Sequence, residues 1–417
     1  MPGPRLVLIS GRDVLGTAGG HPSYVRAHAL AALRAGLEPH VVCLARRGGV
    51  VETDFGIVHR VGVPHRYLPP TALQPPVLAR AVERLLAKTP GPHVVHGFAI
   101  WSAAAVLAAR GLERRGMPAI ALASAYATRA YEVAAMQDGL AVHGPAHRAR
   151  YRAWLSWVRA IDARVEGWGY ANSALVLVNY DSVWQILTDA FGRGLSIRRV
   201  PYASEQALRD GAPGRVPARS PAPSELARLR PAEAPLILAV SRHDPRKGID
   251  RLLLALRELA TDGIGFRACL VGPGQLLASH RRLAARLGLD DAVAIPGQVP
   301  DVGPYFEHAD MFVLPSLAEA SGSVAVLEAL HAGLPVVATA CDGLPEDLRD
   351  GHEALLVPPG DTAALAGALR RLIAAPALRA RLGADGRRLH DERFSAHGFS
   401  HALAGVYSEL GLPVTSS

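Results

Sequence analysis

The sequence predicts an α/β protein with two domains, each built around a doubly wound parallel sheet. Short apolar runs alternate with segments of helical periodicity through both halves of the chain, as in parallel sheets covered by helices. A chain of 417 residues is too long for one ordinary core. The stretch 213–235 contains six prolines, which indicates a linker. We therefore predict domains over 1–212 and 236–395, followed by a last helix over about 396–412.

In the first half, a predicted strand at 5–10 leads into a loop that carries Gly19 and Gly20, and a helix follows at about 24–35. Glycines at this position could let the backbone approach a ligand closely. The loop has neither the G-x-G-x-x-G spacing of dinucleotide-binding proteins nor the spacing of a P-loop, which argues against an NAD-dependent oxidoreductase and against nucleotide hydrolysis. The further strands and helices of this half are predicted at 41–45, 77–88, 93–96, 100–110, 119–123, 145–168, 174–178, 181–191 and 198–201.

His96 ends one of these predicted strands, and in such sheets ligands lie at the carboxyl ends of the strands. An isolated histidine is as often a satisfied core residue, so both roles stay open at this point.

The charge is uneven: residues 1–199 carry 23 Lys+Arg against 12 Asp+Glu, whereas residues 200–417 carry 22 against 25. A basic first half favours an anionic substrate, an acidic partner or peripheral contact with a membrane surface, or is simply a solvated face. Nucleic acid is not expected, because the arginines are dispersed and no motif that reads DNA or RNA occurs.

The sequence predicts a cytoplasmic protein, with peripheral association at the inner face of the membrane as an alternative. Its three cysteines lie in apolar runs, no apolar stretch reaches membrane-spanning length, and no signal-peptide pattern occurs.

The second half opens with a predicted strand at 236–240, followed by the segment SRHDPRKG. Arg242 and Lys247 flank a turn at the carboxyl end of this strand, where two cations would suit a diphosphate. An ordinary charged loop is the alternative. The chain has only two lysines, Lys88 and Lys247, among 45 basic residues, which favours a specific need for a compact ammonium group at position 247.

The segment 311–339 predicts a strand, a loop, a helix over about 324–332 and a second strand, which together form a βαβ unit. Glu328 is unusual because the helix around it is apolar on nearly every face, which predicts that the helix is buried. A buried carboxylate is costly without a partner. Either a protein group such as His331 neutralises it, or it accepts hydrogen bonds from ligand hydroxyls; we favour the ligand. Glu319 offers a second carboxylate from the loop, and no cluster with the spacing of a metal site stands out.

These motifs resemble the retaining nucleotide-sugar glycosyltransferases of family 4. The resemblance rests on SRHDPRKG at 241–248, VGPG at 271–274 and PSLAEASGSVAVLEALHAGLPVVAT at 315–339, with modest support from the Gly19–Gly20 loop. It implies the GT-B fold, in which two Rossmann-like domains face each other across a cleft and the last helix returns to the first domain. The donor binds mainly to the second domain in this family, and the acceptor mainly to the first.

The resemblance also implies residue roles. Arg242 and Lys247 would bind the donor diphosphate, Glu328 the ribose, and Glu319 the sugar hydroxyls, so that Arg242, Lys247 and Glu319 are the expected catalytic groups. Tyr126 is the candidate on the acceptor side. The other positions assigned to the donor are Gly19, Gly20, His96, Gly272, Val299, Ser321, Gly322, Ser323 and Val324.

The sequence departs from the family pattern at two places. Eight residues separate Glu319 from Glu328 where the family has seven, and His96-Gly97-Phe98 replaces the His-x-His that family members often carry.

The expected reaction is transfer of a sugar from a UDP-, GDP-, ADP- or dTDP-sugar to a hydroxyl of a lipid, a glycan or a small molecule. The resemblance implies retention of configuration, no metal and no further cofactor. A nucleotide-sugar epimerase of the same fold and a non-catalytic nucleotide-sugar-binding subunit are the alternatives.

Overall fold

The computed structural model describes residues 5–15, 20–63, 71–135, 145–210, 220–319 and 321–414. The chain forms two compact units. The first contains Met1–Val133, Pro145–Arg209 and Ser395–Ser417, and the second contains Ala134–Gly144 and Asp210–Phe394. Each unit holds one sheet, so the predicted class of two doubly wound α/β domains is confirmed. The predicted linker lies outside the described residues from 211 to 219.

The first unit is built on an eight-stranded sheet with the order β3-β4-β2-β1-β5-β6-β7-β8. Its strands are β1 Leu6–Ser10, β2 Pro39–Ala45, β3 Gly49–Thr53, β4 Gly56–Gly62, β5 His93–Phe98, β6 Ala119–Ala125, β7 Leu175–Val178 and β8 Ile197–Arg199. All neighbouring strands pair in parallel except β3 and β4, which form an antiparallel hairpin at one edge. This hairpin is not predicted from the sequence, because β3 is mostly exposed and lacks the apolar pattern of a core strand.

The helices of the first unit cover both faces of its sheet. They are α1 Gly20–Arg34, α2 Gln74–Leu86, α3 Ser102–Glu113, α4 Arg129–Ala135, α5 Pro145–Trp157, α6 Ala163–Ala171, α7 Asp181–Phe191, α8 Glu205–Asp210 and the C-terminal α16 Ala396–Glu409. The long helix predicted over 145–168 is wrong in detail, since a π-helical segment at Val158–Asp162 separates α5 from α6. Helix α16 packs on α1, where the Phe399 ring contacts the ring of His28.

The second unit has a six-stranded, all-parallel sheet with the order β11-β10-β9-β12-β13-β14. Its strands are β9 Leu236–Val240, β10 Arg267–Val271, β11 Val293–Gly297, β12 Met311–Leu314, β13 Val336–Thr339 and β14 Ala354–Val357. Its helices are α9 Ile249–Thr261, α10 Leu277–Arg286, α11 Gly303–His308, α12 Val324–His331, α13 Leu344–Asp347, α14 Thr362–Ala374 and α15 Pro376–Arg393. Buried aliphatic side chains from the strands and from α9 and α14 form one core.

Each sheet has one point at which the order of its strands reverses. In the first unit the chain builds outward from β1 to β2 on one side and later to β5 on the other. In the second unit it builds from β9 to β10 on one side and to β12 on the other. Ligands of doubly wound sheets bind at the carboxyl ends of the strands beside such a point. In the second unit we therefore expect a ligand site at the loops after β9 and β12.

Within the described ranges, no helix combines the length and apolarity that crossing a membrane requires.

Candidate active site

Lys247 and Glu319 form the central contact of the candidate site in the second unit. Lys247 ends a 3₁₀ turn that follows β9, and Glu319 lies in the loop that follows β12. The Nζ of Lys247 lies 2.6 Å from both carboxylate oxygens of Glu319. The two side chains are only 13% and 6% exposed. Two of the predicted catalytic residues thus meet at the switch point of the sheet, as a pair that is largely removed from water.

The turn that presents Lys247 is fixed by its neighbours. The Asp244 carboxylate accepts the Arg246 N–H at 3.1 Å and so caps the turn. Gly248 follows with a φ of +58°, and a Cβ there would lie 2.0 Å from the carbonyl oxygen of Pro315. Only glycine fits this close approach in the left-handed region without strain. The Leu317 N–H also donates to the Arg246 carbonyl oxygen at 2.6 Å, which ties the loop after β12 to the turn after β9.

Arg242 stands at the start of the same turn with its side chain about half exposed. Its Nε lies 3.6 Å from Asp244 Oδ2. The guanidinium group is thus steered by one carboxylate while about half of its surface stays accessible. The same short turn thus carries Arg242, which is about half exposed, and Lys247, which is nearly buried. Arg246 between them is also nearly buried, with its Nε 3.8 Å from Asp244 Oδ1.

The glycine predicted at position 272 has a structural reason. Gly272 follows β10 with a φ of +141°, and a Cβ at this position would lie 1.9 Å from the carbonyl oxygen of Ser241. Its backbone therefore has to pass close to the loop after β9. Val299, another predicted donor residue, is half-buried in the loop after β11.

His243, inside the SRHDPRKG segment, was not singled out by the sequence analysis. Its Nδ1 lies 2.9 Å from the Nδ1 of His280 in α10, and both rings are buried. Burial lowers the pKa of His243 to about 4, with a smaller contribution from the neighbouring His280. The His243 ring therefore stays neutral near pH 7. Its backbone N–H donates to the Pro273 carbonyl at 2.8 Å, which joins the loop after β9 to the loop after β10.

Two residues beyond the predicted set hold Glu319. Ser316 Oγ donates to the carboxylate, and Asp342 Oδ2 accepts the Glu319 backbone N–H at 2.5 Å. The sequence signal for Asp342 is modest: an Asp-Gly pair follows the strand β13, which is typical of a turn. Nothing in the sequence links it to Glu319.

Helix α12 begins beside this loop. Ser323 is its N-cap with an extended backbone, but the Ser323 side chain makes no capping hydrogen bond. An uncapped helix N-terminus carries partial positive charge and favours an anion. Ser321 and Gly322 are half-buried just before it, and Val324 is its first residue.

Glu328 lies on one face of α12 with Val324, Ala325 and His331, and all four are half-buried. The expectation of a helix buried on nearly every face is therefore wrong, because the spacing of these four residues leaves one stripe partly open. His331 does not hydrogen-bond to Glu328. Its Nε2 lies 3.0 Å from Asp210 Oδ2, and its Nδ1 makes no hydrogen bond to any described group.

In the first unit, the structure corrects the role predicted for His96. The strand β5 continues to Phe98, so His96 is inside the strand and is fully buried. Its Nδ1 lies 3.0 Å from the Tyr407 hydroxyl and its Nε2 lies 2.8 Å from Ser124 Oγ. Both ring nitrogens are engaged by the protein, so His96 is a core histidine and not a donor-binding residue.

Three other residues of the first unit were predicted, and the structure describes two of them, Gly20 and Tyr126. Gly19 is outside the described residues. Gly20 is the first residue of α1, where a Cβ would contact no described group within 4 Å. Tyr126 follows β6 and is half-buried, with its hydroxyl 2.7 Å from His21 Nδ1. The opposite nitrogen of His21 lies 3.0 Å from Ser10 Oγ at the end of β1.

This hydrogen-bonded chain has a definite direction. Ser10 Oγ donates to the Arg12 carbonyl, so it accepts from His21 Nε2–H, and Tyr126 then donates to Nδ1. Burial lowers the pKa of His21 to about 3, with a smaller contribution from the Arg12 guanidinium, so the ring stays neutral. The Tyr126 oxygen is left with its lone pairs as acceptors.

Residues 234–375, which include every site residue of the second unit, match the family model described as "Glycosyl transferases group 1". This part of the chain is similar to the group 1 glycosyltransferases. The predicted resemblance is confirmed at this level.

Curated relatives with glycosyltransferase names match a similar share of the chain. A D-inositol 3-phosphate glycosyltransferase of Streptomyces bingchenggensis is 38% identical over 190 residues, which cover 43% of this chain and 41% of that protein. The lipopolysaccharide core biosynthesis glycosyltransferase LpsE of Rhizobium meliloti is 33% identical over 172 residues, which cover 41% of this chain and 49% of that protein. The chain thus spans less than half the length of these two relatives.

Solved glycosyltransferase structures match nearly the whole chain in fold. Sucrose-phosphate synthase of Thermosynechococcus elongatus matches with a TM-score of 0.73 at 23% identity, covering 98% of this chain and 99% of that one. HepE of Anabaena, solved in complex with UDP-glucose, matches with a TM-score of 0.67 at 17% identity, covering 97% and 99%. The predicted GT-B fold class is confirmed.

Proposed function

We propose that this chain is a glycosyltransferase that moves a sugar from a nucleotide-sugar donor to a hydroxyl of an acceptor, with retention of anomeric configuration. The observation that carries the proposal is the Lys247–Glu319 pair beside Arg242, at the switch point of a group 1 glycosyltransferase domain. The cation turn, by which we mean the turn that carries Arg242 and Lys247, and the N-terminus of α12 flank the loop after β12. This arrangement suits a ligand with a diphosphate at one end and hydroxyl groups at the other.

Each group has a defined part in the proposed reaction. Cleavage of the bond between the sugar and the diphosphate leaves negative charge on the diphosphate, and Arg242, Lys247 and the N-terminus of α12 stabilise that charge. Glu319 accepts hydrogen bonds from the sugar hydroxyls, and Glu328 accepts those of the ribose. The departing phosphate oxygen takes the proton of the acceptor hydroxyl, so the reaction requires no protein base.

The proposal includes independence from metal ions. Two cations and a helix N-terminus supply the positive charge that a divalent ion would otherwise bring to a diphosphate. In the part of the chain that the structure describes, no group of three or more His, Cys, Asp or Glu side chains is arranged to hold a metal.

The acceptor side belongs to the first unit in this proposal. Tyr126, with its hydroxyl oriented by His21, is the candidate residue for an acceptor hydroxyl, and the acceptor is a lipid, a glycan or a small molecule. We also propose that the protein is cytoplasmic and that the basic first half gives it peripheral contact with the inner face of the membrane.

The test starts with the donor. We expect one of UDP-glucose, GDP-mannose, ADP-glucose and dTDP-glucose to raise the melting temperature; at about 100 times its dissociation constant a ligand stabilises the fold by roughly 2.7 kcal/mol. Donor is then incubated alone and with a panel of acceptors, and the products are analysed. A glycosylated product only with acceptor supports the proposal. A changed sugar without acceptor indicates an epimerase, and binding without any product indicates a non-catalytic subunit.

A further inference from the structure

Asp342 has a strained backbone next to the candidate site. It follows β13 with a φ of +49°, in the left-handed region that residues other than glycine seldom adopt. Residues in such conformations persist only where the surrounding structure holds them, and they cluster at functional sites. Asp342 is followed by Gly343, so the strain falls on the residue with the carboxylate and not on the neighbouring glycine.

The Asp342 carboxylate reaches the backbone of Glu319 in the loop after β12. Its Oδ2 accepts the Glu319 N–H at 2.5 Å. A second bond comes from the last residue of β13, because Thr339 Oγ1 donates to the Ser316 carbonyl at 2.6 Å. The end of β13 and the loop after it therefore hold the Glu319 loop at Ser316 and at Glu319.

The position of Glu319 matters because its carboxylate meets Lys247 Nζ at 2.6 Å through both oxygens. Ser316 Oγ holds the Glu319 side chain, and the Asp342 carboxylate holds its backbone N–H. A charge-assisted hydrogen bond to the Glu319 N–H restrains the backbone at the residue where the ion pair forms.

We propose that Asp342 is a positioning residue that holds Glu319 against Lys247. It has no contact with the reacting atoms in this proposal, and it acts through the Glu319 backbone. The residue with the left-handed φ is thus the one whose side chain accepts the Glu319 N–H. The consequence for donor binding rests on the proposed function, whereas the positioning itself does not.

The chain offers a test that needs no ligand, because Lys88 and Lys247 are its only lysines. Lys88 is exposed, and Lys247 is largely buried against Glu319. Acetylation by an amine-selective reagent, followed over time by peptide mass spectrometry, should therefore label Lys88 quickly and Lys247 slowly. In Asp342→Gly we expect the labelling rate of Lys247 to rise about tenfold or more and that of Lys88 to stay constant.

Glycine is the informative substitution because it adopts a φ of +49° without strain. The fold should therefore survive, with little change in melting temperature. Asp342→Asn keeps an amide oxygen that can accept the Glu319 N–H, so its Lys247 should be labelled nearly as slowly as in the unchanged protein. Asp361→Gly is the matched control, since Asp361 also accepts one backbone N–H, that of Ala364 at 2.9 Å, at the start of α14.

The outcomes separate the two proposals. Equal labelling of Lys247 in Asp342→Gly and the unchanged protein overturns the positioning role, and so does an equal rise in Asp361→Gly. The donor assay uses UDP-glucose, or whichever tested donor raises the melting temperature most. Asp342→Gly should raise KM for this donor about 10- to 100-fold, whereas the KM of Asp342→Asn should stay close to that of the unchanged protein. If no nucleotide sugar binds the unchanged protein while the labelling result holds, the proposed function fails and the positioning role stands.

Discussion

Lys247 is the residue on which the proposed chemistry depends most. Replacing it with Ala removes one preorganised positive charge from the diphosphate, and we expect turnover to fall by about 10²–10³-fold. Steady-state rates with the identified donor and acceptor measure the effect. Lys88→Ala, which removes the other lysine from an exposed position, should leave the rate unchanged.

The Lys247 variant also has a consequence for stability. Glu319 is only 6% exposed, and Lys247→Ala leaves it without its cation, so the melting temperature should fall as well. A double variant, Lys247→Met with Glu319→Gln, should recover stability without recovering turnover.

The turnover prediction has a clear contrary outcome. If the turnover of Lys247→Ala stays within threefold of that of the unchanged protein, Lys247 is not part of the catalytic site.

Glu328→Gln tests the ribose contact. The change keeps the shape and one acceptor oxygen but removes the charge, and charged hydrogen bonds contribute roughly 1.5–3 kcal/mol, so donor affinity should fall about 10- to 100-fold. The side chain is half-buried, so the melting temperature should change little. Calorimetric titration with the donor beside a melting curve separates the roles: unchanged affinity with a lowered melting temperature would mean that Glu328 serves the fold.

At the residue scale, the sequence predicted which residues form the candidate site but not which of them are in contact. Lys247 and Glu319 are 72 positions apart, and only the adjacency of β9 and β12 brings them together. His96 shows the opposite case: the pattern placed it at the end of its strand, and two more strand residues moved it into the core. Asp342 could not be predicted because its partner is a backbone N–H on another loop.

At the scale of elements, strongly apolar segments were predictable and irregular ones were not. Helix α7 and the strand β9 lie at their predicted positions, since burial imposes a clear pattern on both. The hairpin β3–β4 and the break between α5 and α6 were not predicted. An exposed edge strand and a π-helical turn produce no regular spacing of apolar residues in the sequence.

Glu166 connects two of these elements and makes a testable contribution to pH dependence. It lies in the first turn of α6, is fully buried, and accepts the N–H of Arg129, the first residue of α4, at 2.9 Å. Burial raises the pKa of Glu166 to about 8, against the opposing effect of its hydrogen bonds from Arg129 and Tyr170. The folded protein therefore keeps a proton there that the unfolded chain releases near pH 4.5.

The sign of the effect follows from proton linkage. Because the folded state binds more protons than the unfolded state between about pH 4.5 and 8, the contribution of Glu166 to stability is full at the acid end and is lost as the pH rises through 8. Melting curves from pH 5 to 8 should show this decline, and Glu166→Gln should flatten it. An identical slope in the variant would show that Glu166 is not the group that titrates.

At the scale of the whole molecule, the alternation of strand-like and helix-like segments was enough to predict two parallel sheets covered by helices. The two kinds of segment can be told apart because the apolar residues of a buried helix and of a buried strand recur with different periods. The order of the strands was not readable in the same way. It depends on which neighbours pair, and that order creates the switch points beside β1 and β9. The position of the candidate site thus became definite only with the sheet topology, although its residues were already named.

The charge arrangement of the second unit predicts that catalysis survives removal of metal ions. Arg242, Lys247 and the N-terminus of α12 present positive charge around one loop, so we expect a diphosphate leaving group to need no added cation. Dialysis against EDTA followed by assay in metal-free buffer should leave turnover within about twofold of the untreated enzyme, whereas the Lys247→Ala variant should be slow in both buffers. Adding Mg²⁺ or Mn²⁺ should not raise the turnover of the EDTA-treated protein or of the Lys247→Ala variant. Complete loss of activity in EDTA, restored by either ion, would show that a metal and not this cation turn stabilises the leaving group.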